Sequence, residues 1–79
     1  MLDPNVIIDI DNRGTEERPW GFVYFCNREV VTFGVGDDNA WTVTDGGPNW
    51  PTLPSEEQLA LALAHLEQHG PRMPVAAAC

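Results

Sequence analysis

The sequence predicts an α+β fold, in which an antiparallel β-meander of three to four strands is followed by one C-terminal α-helix. Short runs of β-branched and aromatic residues, separated by turn-forming residues, occupy the first half of the chain. Two Gly and three Pro then interrupt residues 46–54, and a leucine-rich segment with helical spacing follows. The 79 residues are therefore expected to form one domain. Its parts are the sheet at about 5–45, the loop at 46–54, the helix at 55–69 and a flexible tail at 71–79.

The strands are predicted from period-two alternation and from the turns between them. In the first strand, Val6, Ile8 and Ile10 are expected to share one face. A two-residue turn at 27–28 is expected to join the second and third strands. In chain order the predicted strands cover residues 5–11, 20–26, 29–35 and 40–44.

The second strand is apolar on both faces, with Trp20, Phe22 and Tyr24 alternating with Val23 and Phe25. One helix covers only one face of such a sheet. The other face must be covered by Trp41 with the loop that contains Trp50, by the tail, or by another protein. These alternatives stay open at the level of sequence, and the last of them predicts a partner or self-association surface.

The helix has recognisable start and stop signals. Ser55 and Gln58 have the spacing of a capping box, and Gly70-Pro71 ends the helix. One stripe is expected to dock on the sheet, and Leu61 lies on the opposite side. The docking stripe consists of Leu59, Ala62, Leu63 and Leu66.

Charge excludes several classes of function. The chain has 12 acidic residues against four basic ones, no lysine and a net charge of −8. Direct nucleic-acid binding and attachment to anionic lipid both need Lys and Arg, so neither is expected. No apolar run is long enough to span a membrane, and no signal peptide is apparent. The expected location is the cytoplasm.

Metal and cofactor motifs are incomplete. Residues 9–14 begin like a calcium loop, but Arg13 stands at a ligand position and Trp20 replaces the required Glu. His65 and His69 have the spacing of two zinc ligands without a third in sequence. The glycines of Gly34-Val35-Gly36 are followed by acids, which would repel phosphate. No metal or cofactor is expected.

Nucleophilic catalysis also lacks support. Ser55 is the helix cap, and Cys26 is predicted to be a buried small hydrophobic residue without a basic activator. The other cysteine, Cys79, ends the sequence, and two cysteines do not make a disulfide framework. A single bridge between Cys26 and Cys79 stays open as the less favoured alternative. The prediction is that the protein is not an enzyme.

Acidic residues in turns, beside aromatic ones, are the remaining functional signal. Carboxylates fixed on turns imitate the phosphates of a nucleic acid, and a basic DNA-binding surface is attracted to both by the same field. Trp20, Tyr24 or Trp41 would supply an apolar anchor. The carboxylates predicted to contact Arg and Lys of a partner are Glu16, Glu17, Asp37, Asp38 and Asp45.

In size, acidity and a meander followed by the helix start Ser55-Glu56-Glu57, the chain resembles the small phage-encoded anti-CRISPR proteins. The resemblance implies a stoichiometric inhibitor that binds a CRISPR effector complex in the host cytoplasm and blocks recognition of target DNA. The alternative is a small self-associating module that uses the aromatic face of its sheet. Either a monomer or a weak homodimer is expected.

Overall fold

The computed structural model describes residues 3–45 and 54–73, which form four strands and one helix. Strand order in the sheet follows the chain, and each strand is antiparallel to its neighbours. The predicted α+β meander with a C-terminal helix is confirmed, with four strands. Residues 46–53 and 74–79 of the predicted loop and tail lie outside the described residues. The elements are β1 (Ile7–Asn12), β2 (Gly21–Phe25), β3 (Val30–Val35), β4 (Trp41–Asp45) and α1 (Glu56–His69).

Helix α1 packs against β3 and β4 on one face of the sheet. Its Ala62 and Leu66 are buried, Leu59 packs against the core, and Leu61 is exposed, as the helical periodicity predicts. The core lies between α1 and this face of the sheet. Its buried members are Ile7, Ile10, Val23, Phe25, Val31, Phe33, Ala62 and Leu66.

The alternation predicted for the first strand is wrong. Ile7 pairs with Phe25 and Asp9 pairs with Tyr24, so the register shifts between them and leaves Ile8 as an extra residue. Such a bulge exchanges the faces of all residues that follow it. Ile7 and Ile10 are therefore the buried residues of β1, whereas Ile8 is only half-buried.

The turn between β2 and β3 is one residue longer than predicted. The Phe25 N–H donates to the Glu29 carbonyl at 3.1 Å, which closes a loop of three residues ending at Arg28. Arg28 adopts φ 67°, the left-handed conformation that the bulged end of such a loop requires. The β3–β4 turn has the same form, with Asn39 at φ 61°.

The prediction for Cys26, in the β2–β3 turn, is also corrected. Cys26 is half-buried rather than fully buried, and it is disulfide-bonded, the less favoured of the two states that the sequence left open. The other cysteine of the sequence, Cys79, lies outside the described residues.

The start of α1 confirms the predicted capping box. Ser55 Oγ accepts from the Gln58 N–H at 3.2 Å, and Gln58 Oε1 accepts from the Ser55 N–H at 3.0 Å. Gln58 also donates from Nε2 to Asn27 Oδ1 at 3.0 Å and to the Pro4 carbonyl at 3.4 Å. Gln58 is 1% exposed, so the capping residue also ties α1 to the β2–β3 turn and to the N-terminal segment.

Candidate functional site

Two acidic loops lie at the same end of the sheet. In a meander, consecutive hairpin turns alternate between the two ends, so the β1–β2 loop and the β3–β4 turn share one end. Arg18 Nη2 in the first loop lies 3.5 Å from Asp37 Oδ1 in the second, and both side chains are largely exposed. We call this region the acidic end. Its exposed carboxylates are those of Glu16, Glu17, Asp37 and Asp38.

Hydrogen bonds within each loop fix the backbone that carries these carboxylates. The N–H groups of Arg13 and Gly14 donate to the Trp20 carbonyl at 2.7 and 3.2 Å. The Arg18 N–H donates to Thr15 Oγ1 at 3.1 Å. In the β3–β4 turn, Asp38 Oδ1 accepts from the Ala40 N–H at 3.1 Å. The acidic end therefore presents its charges from ordered turns.

Asp45 does not belong to the acidic end. It is the last residue of β4, where it pairs with Val31, whereas the β3–β4 turn precedes the first residue of that strand. Four residues of strand separate Asp45 from the turn, and the five steps from Ala40 to Asp45 correspond to about 17 Å. The structure thus places four of the five predicted carboxylates in the two loops at one end of the sheet and the fifth at the other end.

The predicted aromatic anchors lie on two faces. Trp20 and Tyr24 flank Phe22 on the face opposite α1, with ring centroids 6.5 and 6.4 Å from that of Phe22. Trp20 is 48% exposed. Trp41 lies on the helix side, where its ring centroid is 6.1 Å from that of Phe33. Trp41 therefore does not cover the face opposite α1, which the sequence left open, and Trp50 lies outside the described residues.

Sequence reasoning missed two carboxylates of β1. Asp9 pairs with Tyr24 and Asp11 pairs with Phe22, so both acids lie on the face opposite α1. We call these four residues the acid–aromatic face. The sequence signal was the Asp-Ile-Asp spacing at 9–11, but the face to which it points depends on the register of β1.

A guanidinium already occupies part of the acid–aromatic face. Arg13 Nε donates to Asp11 Oδ2 at 2.9 Å, and Arg13 Cζ lies 5.3 Å from the centre of the Phe22 ring. This combines an ion pair with a cation–π contact. The hydrogen bond to Asp11, followed by the attraction of its charge, raises the pKa of Arg13 above the ordinary value.

A cleft of about 370 Å³ opens on the helix side of the acidic end. It brings together Glu16 and Trp41, two of the predicted partner-binding residues, with Arg72, which follows α1. The remaining lining residues are Asn12, Pro19 and Pro71.

The histidines of α1 lie close together, with ring centroids 5.0 Å apart. His65 Nε2 donates to the carbonyl oxygen of Arg72 at 2.7 Å, which engages that nitrogen within the protein. Among residues 3–45 and 54–73, no group of three or more His, Cys, Asp or Glu side chains is arranged to hold a metal ion.

Within the described part of the chain, α1 is too short and too polar to cross a membrane, and it is the one helix there. No protein-family model, no curated protein and no solved structure matches the sequence.

Proposed function

We propose that the protein is a non-enzymatic inhibitor that binds a basic, nucleic-acid-binding surface of a partner protein by acidic mimicry. The observation that supports this most is the acidic end, where Glu16, Glu17, Asp37 and Asp38 project from two adjoining ordered loops. Carboxylates held at fixed positions form a patterned negative surface, which is what a basic surface meets on a nucleic-acid backbone.

The charge of the whole chain adds to the local pattern. A net charge of −8 steers a basic partner toward the protein over distances set by the Debye length, about 10 Å at 0.1 M salt. Trp20 ends the β1–β2 loop directly before β2 and is 48% exposed, so it is available as an apolar anchor beside the charges. Charges supply rate and orientation, and the anchor supplies affinity.

The partner class that this arrangement fits is a protein whose function is to bind nucleic acid. A CRISPR effector complex is the specific candidate, which rests on the resemblance of the sequence to anti-CRISPR proteins. Occupation of its DNA-binding surface would block recognition of target DNA without any covalent chemistry. The cytoplasm of the host cell is where the two proteins would meet.

The double substitution Asp37→Lys, Asp38→Lys tests the assignment of the acidic end. We expect it to weaken binding to the partner at least about tenfold, because it reverses two charges at the contact. The partner is first captured from host lysate and eluted in a salt gradient, and its affinity for purified variants is then measured by calorimetry.

The control is Glu57→Lys, Glu67→Lys, which produces the same net charge through two residues on α1. Asp38 also accepts a hydrogen bond within its turn, so the single variant Asp37→Lys and a circular-dichroism spectrum accompany the double variant. Equal affinity of the acidic-end and helix variants, both folded, would contradict the assignment.

The second candidate function is self-association through the face opposite α1. The exposure of Trp20, beside Phe22 on that face, favours it. Self-association depends on protein concentration and little on salt, whereas binding of a basic partner weakens as salt rises. Sedimentation velocity distinguishes the two, because a dimer with a Kd between about 10 µM and 1 mM changes its sedimentation coefficient over that range of protein concentration.

A further inference from the structure

The acid–aromatic face shows how this protein binds a guanidinium. Arg13 is held by a charged hydrogen bond to Asp11 at 2.9 Å and lies over the ring of Phe22 at 5.3 Å. Asp11 and Phe22 are directly opposed across β1 and β2, so one cross-strand pair supplies both contacts. The Arg13 side chain is more than half exposed, so the arrangement forms at the surface.

The next cross-strand pair repeats this arrangement. Asp9 opposes Tyr24 on the same face, two residues further along both strands. Directly opposed side chains have their Cβ atoms about 5 Å apart, close enough for one cation to contact both. Asp9 is exposed and Tyr24 is half-buried, and Asp9 forms none of the ion pairs seen in residues 3–45 and 54–73.

We propose that Asp9 and Tyr24 bind an arginine side chain of the partner. The proposal rests on the proposed function and specifies which basic residue this face selects. A guanidinium is planar, so it bonds a carboxylate through two N–H groups while it stacks on a ring; an ammonium does neither. The face should therefore prefer arginine to lysine, whereas the acidic end attracts both.

Arg13 competes with the partner's arginine for this face. Its side chain occupies the Asp11–Phe22 pair and places a positive charge next to the Asp9–Tyr24 pair. The substitution Arg13→Ala frees Asp11 for a second arginine and removes a repulsive charge. It should therefore increase the affinity for an arginine peptide although it removes a side chain from the face.

Titration of the 15N-labelled protein with tetra-arginine and with tetra-lysine tests the proposal by NMR. The two probes have equal charge and differ in the head group. We expect tetra-arginine to shift the amide signals of Asp9, Tyr24 and their strand neighbours, and to bind more tightly than tetra-lysine. We expect Asp9→Asn and Tyr24→Leu each to weaken tetra-arginine binding about two- to fivefold, the fold-change of one exposed ionic or cation–π contact.

Two controls match these variants in charge. Glu67→Gln removes one carboxylate from α1 and should leave the preference for arginine unchanged. Arg28→Asn removes one positive charge from the β2–β3 turn, at a position where Asn tolerates the left-handed conformation. If Arg13→Ala acts by freeing the face, its gain of about two- to fivefold must exceed that of Arg28→Asn.

The possible failures are distinguishable. Equal affinity for the two peptides, or equal effects of Asp9→Asn and Glu67→Gln, would overturn the arginine site. The proposed function survives without the arginine site if two results are found together. The peptide then shifts the amide signals of the acidic end, and Asp37→Lys, Asp38→Lys still weakens partner binding. If neither the acidic-end variants nor the variants of the acid–aromatic face weaken partner binding, both the proposed function and the arginine site are overturned.

Discussion

At the scale of single residues, Gly21 lies where the backbone of β1 leaves no room for a side chain on β2. A Cβ atom at this position would collide with the carbonyl oxygen of Asp11, which belongs to the neighbouring strand. Gly34 in β3 is different, because the nearest atom to a Cβ there would be Thr42 Oγ1 at 3.9 Å, an ordinary van der Waals distance. The neighbouring backbone therefore excludes a side chain at Gly21, whereas there is room for a Cβ atom at Gly34.

We expect Gly21→Ala to lower the free energy of unfolding by about 2–3 kcal/mol, since backbone atoms must move apart. Gly34→Ala is the control and should change it by no more than about 1 kcal/mol, with stabilisation expected because alanine restricts the unfolded chain. Urea denaturation followed by tryptophan fluorescence measures both. Equal losses in the two variants would refute the steric argument at Gly21.

At the scale of secondary-structure elements, α1 is attached to the sheet by polar contacts at its start as well as by its apolar stripe. Ser55 caps the helix only, whereas Gln58 caps it and also donates to Asn27 and to the Pro4 carbonyl. Removal of Gln58 therefore deletes a buried side chain and leaves acceptors of two other segments without this donor.

We expect Ser55→Ala to destabilise the protein by about 1 kcal/mol, the ordinary cost of a lost N-cap. Gln58→Ala should cost about 2–3 kcal/mol, because it removes a buried side chain and its hydrogen bonds to distant segments. Thermal and urea unfolding, monitored by circular dichroism at 222 nm, compare the two. A smaller loss for Gln58→Ala than for Ser55→Ala would show that its distant contacts add nothing.

Most of the elements could be predicted from sequence because their signals are local. Alternation in β2 to β4, the Ser55–Gln58 box and the Gly70 stop each involve neighbours within a few residues. The extra residue in β1 could not be predicted, because Val6, Ile7, Ile8 and Ile10 allow either register and only pairing with β2 decides between them. The orientation of Trp41 could not be predicted either, because its side chain faces the core only through the pairing of Trp41 with Val35.

At the scale of the whole molecule, like charges repel across most of the surface. The net charge is −8, and residues 3–45 and 54–73 contain only two ion pairs, both exposed. Exposed pairs contribute little, so they offset little of this repulsion. Compactness therefore depends on the core between α1 and the sheet.

We expect the free energy of unfolding to rise by up to about 1 kcal/mol when NaCl increases from 20 to 200 mM, because salt screens the repulsion. Urea, which is uncharged, is the denaturant. The Glu57→Lys, Glu67→Lys variant carries less net charge and should show a smaller rise. A fall in stability with salt would mean that attractive pairs dominate the surface.

The candidate site was partly predictable at this scale. A meander places alternate turns at one end, so the location of Glu16 and Glu17 at the same end as Asp37 and Asp38 follows from the strand order alone. The same logic separates Asp45. The acid–aromatic face was not predictable, because its two carboxylates reach the aromatic side of the sheet only through the irregular register of β1.

The extra residue in β1 therefore decides the chemistry of an entire surface. If the same sequence paired without the bulge, continuous pairing from Ile7 and Phe25 would place Asp9 opposite Val23, toward the helix, and Ile8 opposite Tyr24. Carboxylates would then enter the core and isoleucines would take their place among the aromatic rings. A shift of one residue in this register, with no change of sequence, would thus convert the acid–aromatic face into an aliphatic, aggregation-prone one.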